Sequence, residues 1–378
     1  MSTKSNNNAA AVGACFGVGN LASENQFVKR AQMELAYFSF YARLKQRQTG
    51  GAGVVLRFQR VRPRRLGGFQ PLQAQEISPR FLDRTVRALK RWKYDIVSMD
   101  EACRRAVSPP SRARFAALTF DGGYKDVATT AYPILQRHGI PFTVYLPTAF
   151  PDGLGQAWWL ALEQMIGREN RISLVMDRKE RHFLIHETAA KYELHELLSE
   201  WLRALAPADQ SFAIKDLCKR YSVDMEALSR AASMDWDDLT KLAADPNVGI
   251  GSATVNYPAL SSLRDGDAQR EIAMGKAVAE AAFHREVRHF AYPFGDRESW
   301  RRQHVVMADE AGFTSAVSAL PGIVEPLGRT NLHALPRIDW DGRQRSLRMM
   351  RVILSGFTFA PVQPTRNNPL TRQALTSS

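Results

Sequence analysis

Leu118-Thr119-Phe120-Asp121-Gly122-Gly123-Tyr124 reads as an apolar strand that ends in a carboxylate and two glycines, directly before a helical run over Lys125–His138. An acid at the C-terminal end of a strand, with glycines that let the backbone approach a ligand, is where an α/β fold places its chemistry. Asp121 equally suits a helix N-cap, and the segment alone does not separate the two roles.

Working outward, short apolar runs recur at Val54–Phe58, Asp95–Met99, Ala116–Phe120, Phe142–Leu146, Val248–Gly251, His289–Tyr292 and Ser315–Val317. Helical runs lie between them, among them Pro79–Trp92, Lys125–His138, Asp265–Phe283 and Ser299–Ala311. Strand and helix in alternation predict parallel strands joined by right-handed crossovers. About seven such units predict an α/β barrel whose function sits at the strand C-terminal ends. One stretch breaks the rhythm: from Gln156 to about Leu239 the chain reads as mostly helical, with runs at Ala157–Ile166, Glu187–Leu205 and Ser211–Tyr221. The expected organisation is a barrel over 50–360 with a helical insertion at about 156–240, preceded by a flexible 1–49 and followed by a disordered tail at 361–378.

With 378 residues, 45% hydrophobic and 24% charged, the chain has the composition of an ordinary soluble globular protein. Its net charge of +13 is unevenly placed: residues 1–115 carry 21 Lys+Arg against 7 Asp+Glu, and the remainder carries 30 against 31. That distribution disfavours a uniformly basic nucleic-acid domain, and no specific nucleic acid is predicted. Residues 24–48 predict a basic amphipathic helix, with Phe27, Ala31, Leu35, Phe38 and Ala42 at helical spacing. Such a helix suits contact with a membrane surface or simple packing against the domain. Cys15, Cys103 and Cys218 form no CxxC, which fits a reducing compartment and excludes a disulfide framework or zinc finger. No apolar run is long enough to span a membrane, and no secretory h-region follows Met1, so a cytoplasmic protein, peripheral to the membrane at most, is expected.

Two further segments join the first: Val248-Gly249-Ile250-Gly251-Ser252-Ala253-Thr254-Val255-Asn256-Tyr257-Pro258-Ala259-Leu260 and Arg288-His289-Phe290-Ala291-Tyr292-Pro293-Phe294-Gly295. In order and context the three resemble the motifs of the polysaccharide deacetylases, the NodB-homology family of carbohydrate esterases. The likeness extends to Tyr94–Glu101, His138–Thr143, Ala311–Phe313 and Leu335–Ile338, and so covers roughly residues 53–355. It implies a distorted (β/α) barrel that removes acetyl groups from N-acetylglucosamine polymers or chitooligosaccharides, using one divalent metal such as zinc or cobalt. In that family the first motif reads Thr-Phe-Asp-Asp-Gly, its first Asp a general base and its second a metal ligand. The second motif supplies two metal-binding histidines four residues apart. One carboxylate and two imidazoles leave positions open for water and the acetyl oxygen.

This sequence departs from the pattern at the ligands. Asp121 stands at the base position, but Gly122 occupies the metal carboxylate's place, and Ala253 and Tyr257 occupy those of the histidines. Gly and Ala offer no side-chain ligand, and a phenol must lose its proton to bind metal well. Gln59 stands where relatives often carry histidine, Ala291 where many carry a catalytic arginine, and Ser355 where many carry a general-acid histidine. The surrounding residues stay family-like, so no metal cofactor is expected. His289 and His333 are candidate replacement ligands, and His182, His186 and His195 fit one helix face in part. Beside Asp121, the resemblance places Tyr124, Asn256, Tyr257, Tyr292, Arg337, Asp339 and Trp340 at a mouth suited to sugar, with Trp340 equally suited to core packing. Three functional readings follow: a glycan-binding or regulatory paralogue that has lost its metal chemistry; a working glycan N-deacetylase with Asp121 as base and a non-standard site; and an interaction protein that uses its basic N-terminal third on membrane or nucleic acid.

Overall fold

All seven residues of strand β5 (Phe115–Asp121) are buried, as a strand covered on both faces and paired on both edges must be. One edge is taken by β1 (Gly53–Phe58), in register from Gly53 opposite Phe115 to Phe58 opposite Phe120. The other edge is shared by β4 (Asp95–Val97) along its first half and β6 (Phe142–Leu146) along its second. From there the parallel sheet runs through β9 (Val248–Ser252) and β10 (His289–Ala291) to β11 (Ser315–Val317), while β12 (Ile338–Asp339) flanks β1 and the short β2 (Arg60–Val61) and β3 (Glu76–Ile77) pair with each other outside this sheet. The gap between β11 and β12 is spanned by Leu335, whose N–H donates to Ala316 O and whose carbonyl accepts from Ser318 N–H, both at 2.9 Å. The result is the distorted (β/α) barrel expected from the alternation of runs.

The computed structural model describes residues 51–356 apart from Asp177; the expected helix over 24–48, the rest of 1–49 and the tail 361–378 lie outside the described residues. Residues 51–345 form one compact unit. The helix Leu347–Leu354 belongs to a second, and Ser355 closes it by donating from Oγ to Val352 O at 2.6 Å. Among the described residues no helix is long and apolar enough to cross a membrane.

Strands β6 and β11 and the helix Asp265–Phe283 coincide with the expected runs. The run Lys125–His138 does not stay regular: a wide π turn over Val127–Ala131 precedes an α-helix over Tyr132–Arg137. Pro133 has no N–H for the ordinary ladder, which accounts for the irregular register just before it. The run Ser299–Ala311 starts late, at Arg302, because Ser299 is held in a turn by Asp296, its N–H donating to Oδ1 at 3.0 Å.

The insertion is less helical than expected. It opens with the helix Trp158–Arg168, then makes an antiparallel hairpin from β7 (Arg171–Met176) and β8 (Lys179–Leu184), before the helices Thr188–Ala204, Pro207–Arg220, Met225–Ala232 and Trp236–Ala243. Strand β7 shows the alternation of a half-buried strand, with Ile172, Leu174 and Met176 inside. Its partner, Lys-Glu-Arg-His-Phe-Leu, is exposed nearly throughout and carries no apolar alternation, with Phe183 alone packed against the insertion core. Helices and hairpin share a core of their own around Leu162, Met165, Ile172, Leu198 and Leu217.

The helix Asp265–Phe283 approaches the loop after β9 so closely that a Cβ on Gly275 would lie 2.6 Å from the carbonyl carbon of Thr254. Ala intrinsically favours a helix over Gly by about 1 kcal/mol. Overpacking at this contact outweighs that preference, so Gly275→Ala is expected to destabilise the fold by about 1–3 kcal/mol. A urea midpoint that rose instead would show the contact to be loose.

Candidate functional site

Register brings four charges together inside the barrel. Arg57 sits opposite Thr119 on one side and Asp339 on the other, and residues two apart on a strand face the same way. Thr119, Asp121, Arg57, Arg337 and Asp339 therefore converge. Arg337 grips Asp121 with a bidentate fork, Nη1 to Oδ1 and Nη2 to Oδ2, each at 2.7 Å. Arg57 Nε donates to Asp121 Oδ2 at 2.6 Å, and its Nη1 donates to Asp339 Oδ2 at 3.0 Å. Arg337 also donates to Ser318 O and Thr119 Oγ1. Asp121, Arg57 and Arg337 are almost wholly buried, while the Asp339 side chain is 49% exposed.

Burial by itself would raise the Asp121 pKa, but the charges of Arg337 and Arg57 and their hydrogen bonds outweigh it, and the carboxyl is held below its ordinary range. Burial acts against the Arg57 charge, yet Asp339 and Asp121 hold that guanidinium firmly protonated. Asp121 is therefore not a helix cap: its oxygens are occupied by Arg57 on the adjacent β1 and by Arg337, which immediately precedes β12.

At the positions that the resemblance assigns to the ligands stand Gly122, Ala253 and Tyr257. Gly122 leaves the strand at φ +96°, donating from N–H to Tyr145 O at 2.9 Å. Ala253 is fully buried, its N–H on Leu146 O. The turn beyond it is held by left-handed residues, Thr254 (φ +68°) and Tyr257 (φ +60°), with Tyr257 N–H on Thr254 Oγ1 at 3.1 Å. Glu271 ties the turn to the following helix by accepting from the Val255 and Asn256 N–H groups and from Asn256 Nδ2. The Tyr257 ring packs against Phe294 and Trp159, and burial, with the Asp121 charge, raises its phenol. A divalent ion here would meet one carboxylate already engaged by two cations and a phenol that resists ionisation. Among the described residues no three His, Cys, Asp or Glu side chains converge to hold one. The residues present do not fit the family's metal.

Above the charge cluster lies a cleft of about 800 Å³. Its floor includes Arg57, Asp121 and Gly122, and its rim includes Gln59, Asp339, Asp341 and Arg343. An aromatic wall is made by Tyr124, Trp159, Tyr257 and Phe294, with Trp159 Nε1 donating to Tyr124 Oη at 2.9 Å. The facing wall is one side of the insertion helix Thr188–Ala204, where Tyr192, His195, Glu196, Ser199, Glu200 and Arg203 recur every three or four residues. The insertion thus supplies one wall of the cleft.

Of the residues expected at the mouth, Asp121, Tyr124, Tyr257 and Asp339 line the cleft. Arg337 does not; it lies beneath, fully buried against Asp121. Tyr292 faces outward, stacked on Trp300 with its hydroxyl donating to His333 O. Trp340 likewise faces the helical layer, stacked on Phe81. Asn256 bonds Glu271 rather than the cleft. Among the candidate histidines, His289 bonds Ser315 Oγ and His333 bonds Phe313 O, both away from Asp121. His182 lies on β8, His186 follows that strand, and only His195 lies on the helix, so the three share no helix face. Ala291 packs in the barrel core. Arg57 is the residue that motif spacing misses. Its sign in the sequence is a lone charge inside the apolar run Val54–Phe58.

The family described as polysaccharide deacetylase matches residues 108–173 and 208–316, and the gap falls within the insertion. Among solved structures, the Streptococcus pyogenes deacetylase PplD in complex with acetate is similar at a TM-score of 0.52 and 14% identity, over 79% of this chain and 97% of that one. IcaB from Ammonifex degensii is similar at a TM-score of 0.51 and 16% identity, over 81% and 97%. At such identities the likeness speaks to the fold. No curated protein matches the chain.

Removing one member of a buried ion pair leaves its partner uncompensated, so Asp121→Asn is expected to cost about 3–5 kcal/mol. The depressed Asp121 pKa adds a pH signature. Its stabilisation is complete above the unfolded value of about 4 and is lost as pH falls through the lower folded value. Denaturation curves taken on acidification should therefore fall more steeply for the native chain than for Asp121→Asn. Parallel curves would mean that Asp121 is not clamped.

Proposed function

We propose, from the match of residues 108–173 and 208–316 to the polysaccharide deacetylase family, that the chain binds glycan in the cleft without the family's metal-dependent removal of acetyl groups. The observation that carries this reading is the clamp on Asp121 by Arg57 and Arg337. A general base works best with a pKa near the operating pH and with a free lone pair directed at the water it activates. Asp121 is ionised but held below the ordinary carboxylate range, and both its oxygens accept charged hydrogen bonds. Gly122 and Ala253 offer no side-chain ligand, and Tyr257 offers a protonated phenol in place of a metal-binding imidazole.

The capacity to hold a sugar is a separate matter. A cleft binds a sugar by meeting its apolar ring faces with aromatic surface and its hydroxyls with a few fixed polar groups. Trp159, Tyr257 and Phe294 provide the first, and Gln59, Tyr124 and Asp339 provide the second. Chitooligosaccharides or related N-acetylglucosamine glycans are the ligand class this reading names. It extends to a cytoplasmic location and to membrane-surface contact through residues 24–48, on the cysteine usage and basic charge of the sequence.

Calorimetric titration with a chitooligosaccharide is expected to show binding that weakens about tenfold in Trp159→Ala, as loss of a central aromatic contact does. Acetate release from the same ligand should stay at background with added Zn²⁺ or Co²⁺. Metal-stimulated release would overturn the loss of chemistry in favour of an active N-deacetylase.

A further inference from the structure

Beside the cleft lies a second cavity of about 330 Å³, and Gln70, Gln73 and Tyr192 line both. Its remaining wall is the loop Arg64-Arg65-Leu66-Gly67-Gly68. A small recess shares Arg64, Arg65, Gln70 and Gln73 with this cavity and adds Arg345. Arg65 is matched by Glu76 and Glu163. Arg64 and Arg345 are exposed, and no carboxylate among the described residues pairs with either. The loop itself is tied in place. Buried Gln70 donates from Nε2 to Arg65 O and Gly67 O at 3.2 and 2.7 Å, and Tyr192 Oη accepts from Gln70 N–H and donates to Gly68 O. Three loop carbonyls are thereby taken, while the N–H groups of residues 64–69 meet no acceptor among the described residues. Successive free backbone N–H groups make a concavity that favours an anion, and here they stand beside two unmatched guanidiniums.

We propose that this cavity binds the phosphate of a phosphate-bearing glycan whose sugar lies in the adjoining cleft. The inference rests on the glycan reading above and adds a charge to its ligand. A phosphate ester brings nearly two negative charges and three strong acceptor oxygens, enough to meet two guanidiniums and several N–H groups together. A neutral sugar hydroxyl gains no charge pairing there. Arg64 and Arg345 come from segments far apart in sequence, so they approach one ligand from separate walls. The cavity is at the lower end of the size of ligand pockets, about 300–1,000 Å³, and so suits one small charged group with part of its sugar. The net charge of +13 draws anions to the whole surface, and a preference made by the cavity is distinguished from that field by its dependence on Arg64 and Arg345.

The test is titration of the full chain with chitobiose and with chitobiose 1-phosphate in about 0.15 M salt, where attraction beyond about 8 Å is screened. The phosphorylated sugar should bind about tenfold more tightly, since an exposed charge pair is worth up to about fivefold and two guanidiniums are free. The double variant R64Q/R345Q, altered only at exposed positions, should bring that ratio near unity and leave chitobiose binding unchanged. R84Q/R137Q removes two exposed cations outside the cavity and should keep the ratio. Equal binding of the two sugars overturns the phosphate site while leaving glycan binding intact, as does a ratio that survives R64Q/R345Q or falls equally in R84Q/R137Q. Binding of the phosphorylated sugar alone, lost in R64Q/R345Q, would keep the phosphate site and overturn the glycan reading of the cleft; binding of neither overturns both.

Discussion

Everything at the mouth of this barrel depends on an ion network that crosses three adjacent strands. Asp121 on β5, Arg57 on β1, and Arg337 and Asp339 at β12 sum to zero charge, and each guanidinium meets a carboxylate at hydrogen-bond distance. Burying an ion costs several kcal/mol unless its partners return that energy. Only the observed parallel register can make those partners meet. A cation that the fold itself supplies occupies the carboxylate's acceptor sites, so the same strand end is stable without a metal.

Much of the architecture is legible in the sequence because buried parallel strands are continuous apolar runs and their crossovers are long helical ones. What escapes is what leaves no apolar trace. Strand β8 is an exposed polar edge held by pairing with β7, and the π turn before Tyr132 reflects one missing N–H at Pro133. The site is half legible for a related reason. Asp121 announces itself beside two glycines, but which neighbours face it is a matter of strand parity. Arg337 and Asp339 point inward, so Trp340 points outward to Phe81; Ala291 points inward, so Tyr292 points outward to Trp300. A motif marks a position and leaves the face to the pleat. Arg57 was open to inspection all along as a charge in an apolar strand, a placement that almost always needs a partner.

The insertion changes what the cleft can recognise without touching the barrel's chemistry. It has its own core, so its helix Thr188–Ala204 presents a firm face rather than a loop. That face turns an open strand-end surface into a two-walled groove, aromatic on one side and polar on the other. One wall of the cleft therefore comes from residues remote in sequence from the three motifs, while Tyr124, Tyr257 and Phe294 of the other lie within them.

The turn over residues 253–257 keeps its left-handed residues and its tie to Glu271 although neither end bears an imidazole. Its scaffold would present two side chains to the strand end whatever they were. What opposes a metal ion at this strand end accordingly lies elsewhere, at positions 57 and 337, where resident guanidiniums would repel it. What a metal would meet at this strand end is thus set as much by a cation that the fold supplies as by the side chains at the turn, a feature that an alignment of motifs alone does not show.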